Sequence, residues 1–122
     1  MNEDPVAHVY LGGLDREDFC YLTTTGRVTG KPHTIEIWFA LNGRTLYMLS
    51  GGRGNSDWVK NIRHRLQVTV RIGQVSFGGS GRVVEDPEED TLARSLLVSK
   101  YRAEHRDLAK WGRTALPVAV DV

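Results

Sequence analysis

The chain has one cysteine, Cys20, among 122 residues, so no internal disulfide can form and a reducing compartment is expected. Cys20 lies in the apolar run Phe19–Leu22 with no histidine or other base beside it, which reads as a small core residue rather than a nucleophile. An excess of one charge is also missing: sixteen Lys and Arg face fifteen Asp and Glu, a net charge of +1. With no global field, nucleic acid is not an expected partner, and any anion must be recognised by a local cluster. No apolar stretch approaches the length that crosses a bilayer, and Met1–Pro5 is acidic with no apolar leader, so a soluble cytoplasmic protein is expected. Histidines 8, 33, 64 and 105 show no ligand spacing and there is no Cys pair, so no metal site is expected. Gly-x-Ser-x-Gly is absent, and Ser50 has no triad. By elimination, difficult chemistry would fall to a bound organic cofactor.

What is present is β-rich. Phe19–Thr25 combines aromatic and β-branched residues and ends at Gly26. His33–Leu41 alternates, with Ile35, Ile37, Phe39 and Leu41 on one face and Thr34, Glu36, Trp38 and Ala40 on the other. Asn42-Gly43 supplies a type I′ turn leading to a return strand, Arg44–Ser50. After a glycine-rich break, Asn55 or Ser56 caps a short helix from Asp57 to about His64. Strands are expected at Gln67–Ile72 and Val75–Glu85, with Gly78, Gly79 and Gly81 marking bulges or a barrel corner. Asp86-Pro87 opens a helix to about Ala103 with Leu92, Leu96, Leu97 and Tyr101 on its buried side. A short helical segment at Leu108–Trp111 and a last strand, Ala115–Val122, complete the chain. About six strands with two or three short helices predict a mainly β, closed or half-closed barrel over residues 19–122, behind an irregular lead-in over 1–18.

Two loops draw notice. Gly26-Arg27-Val28-Thr29-Gly30-Lys31-Pro32 joins two strands and offers glycines, hydroxyls and two cations. It is one residue short of a P-loop, has Pro where Ser or Thr must hold magnesium, and leads into a strand, which excludes nucleotide hydrolysis. The residues alone leave it open between a phosphate cradle and a plain polar connection. Ser50-Gly51-Gly52-Arg53-Gly54-Asn55-Ser56 is a second candidate anion nest, followed by a helix N-terminus. Lys60, Arg63, His64 and Arg65 read as a solvated helix face. Glu36 reads equally as a ligand-lining or a solvent-facing strand residue.

In order along residues 20–122, Leu22-Thr23-Thr24-Thr25-Gly26-Arg27-x-Thr29-Gly30-x-Pro32, the Asn42-Gly43 hairpin, Ser50-Gly51-Gly52, Trp58-x-x-Asn61-Ile62, Val68-x-Val70 and Trp111 through Leu116–Val120 resemble the deazaflavin-dependent nitroreductase family. The resemblance implies a split β-barrel related to flavin-mononucleotide-binding oxidases. It also implies coenzyme F-420 as hydride donor to quinones, nitro compounds or activated alkenes. Carried over, Arg27, Thr29 and Lys31, with Pro32 and His33 beside them, grip the coenzyme's phosphate and acidic tail. Ser50, Gly51 and Gly52, with Arg53, lie near the ring. Trp58 and Glu36 line the substrate pocket, Asn61 braces the helix against the Ser-Gly-Gly loop, and Tyr101 or His105 donates a proton. Where many relatives carry basic residues, this chain has Val28 and His33. A homodimer is expected because family barrels often pair. The alternatives are FMN in the same fold, or a non-catalytic barrel that sequesters the cofactor or a lipid-like ligand.

Overall fold

The computed structural model describes residues 10–102 and 108–122. Seven strands, β1 (Cys20–Thr25), β2 (Pro32–Ile37), β3 (Ala40–Asn42), β4 (Thr45–Ser50), β5 (Gln67–Ile72), β6 (Val75–Val83) and β7 (Leu116–Asp121), form one antiparallel sheet. Three helices accompany it: α1 (Asp57–His64), α2 (Pro87–Tyr101) and α3 (Leu108–Thr114). Among the described residues, no helix is long and apolar enough to cross a membrane.

Strand order, β2-β1-β5-β6-β7-β4-β3, puts β2 and β3 at opposite edges of the sheet. Yet only Trp38 and Phe39 separate Ile37 from Ala40. Seven strands laid flat would hold their edges about 29 Å apart at the usual spacing, whereas three Cα steps reach at most about 11 Å. The sheet must therefore curl until its edges nearly meet, giving a half-barrel with its seam at Trp38-Phe39. This is why the alternating run 33–41 is two strands and not one. The count rises to seven.

The barrel interior holds Leu22, Phe39, Met48, Ile62, Val70 and Val120, all buried. A second core, with Tyr47, Leu49, Ala93, Leu97, Tyr101 and Ala119, lies between β4, β7 and α2. Strand β4 thus has both faces covered, and its Leu46–Ser50 are all buried; β5 faces the core on one side only and alternates cleanly. Helix α2 turns Ala93, Leu97 and Tyr101 inward, a strict four-residue spacing, while Leu92 stays exposed and Leu96 half-buried. The expected buried set was one residue off at its start, because small Ala93 lets the helix approach the sheet.

The first hairpin also differs by one position. Asn42 pairs with Thr45, so the turn residues are Gly43 and Arg44, with glycine at φ +62°. Only glycine needs the left-handed region here, the pattern of a type II′ turn. Arg44 is drawn into the ladder instead: its carbonyl accepts from Val122 N at 2.9 Å. In β6 the glycines serve close packing. A Cβ on Gly81 would lie 2.9 Å from Ile62, and one on Gly79 would lie 2.5 Å from Val120. Bare backbone at these points lets α1 and β7 close onto the strand.

At the seam, the Tyr101 hydroxyl accepts from Phe39 N at 3.0 Å, and its single proton is within reach of two carbonyls, those of Asp18 (2.9 Å) and Phe39 (3.0 Å). Lys100 Nζ donates to the Phe39 carbonyl at 2.9 Å and to Asp15 Oδ1 at 3.3 Å. Asp15 Oδ1 also accepts from Leu41 N at 3.0 Å, so the lead-in is tied to the seam. Tyr101→Phe removes the acceptor of a buried N–H. It should cost about 1–3 kcal/mol, read as a lowered denaturation midpoint.

Around the barrel, Arg82 grips Glu89 through Nη1 and Nη2 (2.6 and 2.7 Å), and Tyr47 donates to the same carboxylate at 2.7 Å. Arg82 also reaches Asp121 at 2.7 Å. The Arg82 bonds, then that of Tyr47, hold the Glu89 carboxyl down at about 2, against an ordinary value of 4.5. A depressed acid stabilises the fold above its unfolded pKa and loses that contribution as pH falls through the folded one. Stability should therefore fall between about pH 4.5 and pH 2, and Glu89→Gln should flatten that part of a midpoint-against-pH curve.

Candidate functional site

The Gly26–Pro32 connection is a tight polar loop. Gly26 N donates to the Lys31 carbonyl at 2.8 Å and Gly30 N to the Gly26 carbonyl at 2.9 Å. Gly30 has φ +74°, a conformation that favours glycine. A Cβ on Gly26 would lie 2.7 Å from His33 Nε2, so the missing side chain lets the imidazole close over the loop. Thr29 Oγ1 accepts from Lys31 N at 3.2 Å, leaving its own proton free to donate. Among the described residues, the Val28 and Thr29 N–H groups find no partner.

Helix α1 fixes the loop from the other side. Asn61, 3% exposed, accepts at Oδ1 from Arg27 N (3.2 Å) and Arg27 Nη1 (2.9 Å), and donates from Nδ2 to Thr24 Oγ1 (3.1 Å). Arg27 Nη2 pairs with Asp57 Oδ1 at 3.1 Å. Between loop and helix lies a cleft of about 420 Å³ lined by Arg27, Thr29, His33, Asp57, Trp58 and Asn61, among others. Its chemistry is hydroxyl, imidazole, guanidinium and free amide beside one indole wall, which suits a phosphate. Asp57 is the exception, a carboxylate already seated on Arg27.

A second cleft, also about 420 Å³, lies at the far end of β2, lined by Phe19, Glu36, Ile37, Trp38, Leu49, Leu108 and Trp111. Trp38 stacks on Tyr101 with ring centres 4.3 Å apart and meets Trp111 edge-on at 5.4 Å. Two indoles, a phenyl ring and two leucines make a slot for a flat apolar molecule. β2 is the common wall of both clefts: His33 and Ile35 border the polar one, Glu36 and Ile37 the aromatic one. His33 and Ile37 are about 13 Å apart along an extended strand, so one ligand with an anionic and a planar end can reach both.

The sequence candidates are dispersed over this frame. Arg27, Thr29, His33 and Trp58 share the polar cleft, while Glu36 lies in the aromatic one. Lys31 is exposed beside the loop, and Pro32 opens β2 on the outer sheet face. Ser50 is buried, its hydroxyl donating to the Arg53 carbonyl at 2.9 Å and lying 2.8 Å from Ser56 Oγ. Gly51 lies beside Trp111, a Cβ there falling 4.0 Å from its ring. Gly52 makes room for Ser56, and Arg53 donates to the Thr114 carbonyl. Asn61 braces helix α1 against the Gly26-Arg27 loop, not against Ser50–Gly52 as expected.

Tyr101 lines neither cleft; it stacks behind Trp38, a wall of the aromatic one. It is 1% exposed with its hydroxyl committed to the seam, and burial raises its pKa far above neutral, so this geometry gives it no route to protonate a bound molecule. His105 lies outside the described residues. Sequence reasoning missed Asp57 and the pairing of Trp38 with Trp111, since these residues come together only across distant segments.

The family model of the F420H(2)-dependent quinone reductases matches residues 8–122. The chain belongs to this family. It is accordingly an oxidoreductase, and its cofactor is coenzyme F-420. The F420H(2)-dependent quinone reductase of Mycobacterium tuberculosis strain H37Rv is 26% identical over 105 residues, covering 83% of this chain and 69% of the relative. Among solved structures, an F420-H2 dependent reductase (FDR-A) superposes with TM-score 0.70 at 20% identity, covering 85% of this chain and 94% of that one. A structure described as a domain-swapped dimer superposes with TM-score 0.71 at 23% identity, over 88% and 81% of the two chains. These likenesses establish the split-barrel fold.

Asn61→Ala leaves the Arg27 amide and Thr24 hydroxyl without a partner. Family membership aside, it should cost about 1–3 kcal/mol of stability, seen as a shifted urea midpoint. Asp57→Asn, at a well-exposed position, should leave that midpoint nearly unchanged.

Proposed function

We propose that the protein reduces a small planar quinone at the aromatic cleft while the Gly26–Pro32 loop holds the phosphate of coenzyme F-420. The observation that carries this reading is the shared β2 wall, which joins a cation- and amide-lined cleft to an indole-lined one. When bound, reduced coenzyme F-420 supplies a hydride; the protein's own residues do the rest.

Arg27, Thr29 and the free amides of Val28 and Thr29 are the phosphate donors, with His33 and Lys31 at the rim. The anion competes with Asp57 for the Arg27 guanidinium, whose position is held independently by Asn61. Ser50–Gly52 shapes the floor beside Trp111, and the indoles orient the acceptor and exclude water from one side. His105 precedes the cleft residue Leu108 by three positions and is the proposed proton donor, an imidazole being suited to proton transfer near neutral pH. Nitro compounds and activated alkenes are further acceptors under the same reading, since they too are flat electrophiles. Residues 19–122 are proposed as one domain. A homodimer is also proposed, in keeping with the domain-swapped dimer formed by one structural neighbour.

Titrating the protein with oxidised coenzyme F-420 and separately with FMN, with ring fluorescence as readout, tests the site. Tight binding of coenzyme F-420, weakened about ten- to a hundredfold by Arg27→Ala, is the expected result for loss of a charge-assisted contact. Equal affinity in the variant would remove the loop from the site. Preference for FMN would replace the cofactor. Binding without consumption of the reduced coenzyme in the presence of menadione would make the barrel a carrier.

A further inference from the structure

We infer that Glu36 is a charge filter for the electron acceptor: the aromatic cleft takes neutral planar acceptors and rejects anionic ones. The inference rests on the quinone reductase reading for the identity of the acceptor, but the filter itself is a binding property of the cleft.

Among the seven residues lining the cleft, six are apolar or aromatic and Glu36 alone carries an ionisable group. Its carboxylate is not free to swing away. Tyr21, the residue opposite it across β1 and β2, donates its hydroxyl to Glu36 Oε1 at 2.7 Å. The Tyr21 ring in turn carries the Arg71 guanidinium 4.3 Å from its centre, and Arg71 Nη1 is anchored to the Gly73 carbonyl at 3.0 Å. The clamp consumes one carboxylate oxygen. Oε2 has no partner among the described residues and is left for a molecule in the cleft or for water.

Glu36 is exposed, so its carboxylate acts at the rim of the slot beside Trp38, Trp111 and Phe19 under solvent screening, and a like charge brought there is opposed most at low salt. Arg71, the cation on the Tyr21 ring, is exposed and hydrogen-bonded to the Gly73 carbonyl, and no hydrogen bond or ion pair joins it to Glu36. A neutral quinone meets no such opposition. Its hydroquinone product carries hydroxyls that can donate to Oε2.

The polar cleft at the other end of β2 has the opposite character, with Arg27 and His33 among its lining residues. His33 and Glu36 project from opposite faces of β2, so the two charges border separate clefts at opposite ends of the strand.

The test uses a matched pair of probes, 1,4-naphthoquinone and its 2-sulfonate, against the full chain and Glu36→Gln. The glutamine keeps an oxygen for the Tyr21 hydroxyl and removes only the charge. Binding is read first without cofactor, by quenching of tryptophan fluorescence, then as kcat/KM with reduced coenzyme F-420. The unsubstituted protein is expected to favour the neutral quinone by about three- to fivefold at low salt, and Glu36→Gln to bring the two within about 1.5-fold of each other. The narrowing should come mainly from tighter binding of the sulfonate. An unchanged ratio in the variant would overturn the filter, as would failure of the neutral quinone to quench fluorescence. Discrimination in binding without turnover would leave the filter standing and sink the reductase reading; turnover with an unchanged ratio would do the reverse.

Discussion

The constraint on which the structure depends is the two-residue link between β2 and β3. Because Trp38-Phe39 must join opposite edges of a seven-stranded sheet, the sheet has to curl, and the break in pairing there has to be made good. Phe39 fills the barrel with its ring while its backbone N–H and carbonyl turn to Tyr101 and Lys100. Trp38 points the other way and becomes a wall of the aromatic cleft. Closure of the barrel and construction of the cleft are therefore one event. Helix α2, which brings Tyr101 and Lys100, supports this frame while lining neither cleft.

The polar end is built by the same economy of parts. One carboxamide, Asn61, ties the loop backbone, the Arg27 side chain and Thr24 of β1 together. Helix α1 can sit close enough to do this because Gly81 of β6 leaves space for Ile62. A single added methyl group in β6 would push α1 outward and carry Asn61 with it. Loop geometry thus depends on a glycine on another strand, one that does not line the polar cleft.

Much of this was readable from residues alone, and the limits have physical causes. β1, β5, β6 and α1 follow from alternation, turn glycines and capping residues, because each is decided by neighbours in sequence. The run 33–41 looks like one strand because alternation continues unbroken through Trp38-Phe39; only closure of the sheet cuts it. The Asn42-Gly43 pair suggests its own turn, yet Arg44 is claimed by Val122 and the turn moves on by one residue. At the site, composition pointed to the Gly26–Pro32 loop, but the partners of Arg27 lie thirty and thirty-four residues away. Tyr101 had the chemistry of a proton donor and the right spacing for a core residue. The packing decided for the core.

The central claim is that coenzyme F-420 lies along β2, with its phosphate at the Gly26–Pro32 loop and its ring turned toward the aromatic cleft that receives the acceptor. A crystal structure of the complex with oxidised coenzyme F-420 tests it most directly. The account predicts the phosphate within hydrogen-bond distance of Arg27 and Thr29, with the ring at the mouth of the aromatic cleft and Trp38 and Trp111 left open to the acceptor. A phosphate bound elsewhere, with the loop and the Arg27–Asp57 pair undisturbed, would contradict it.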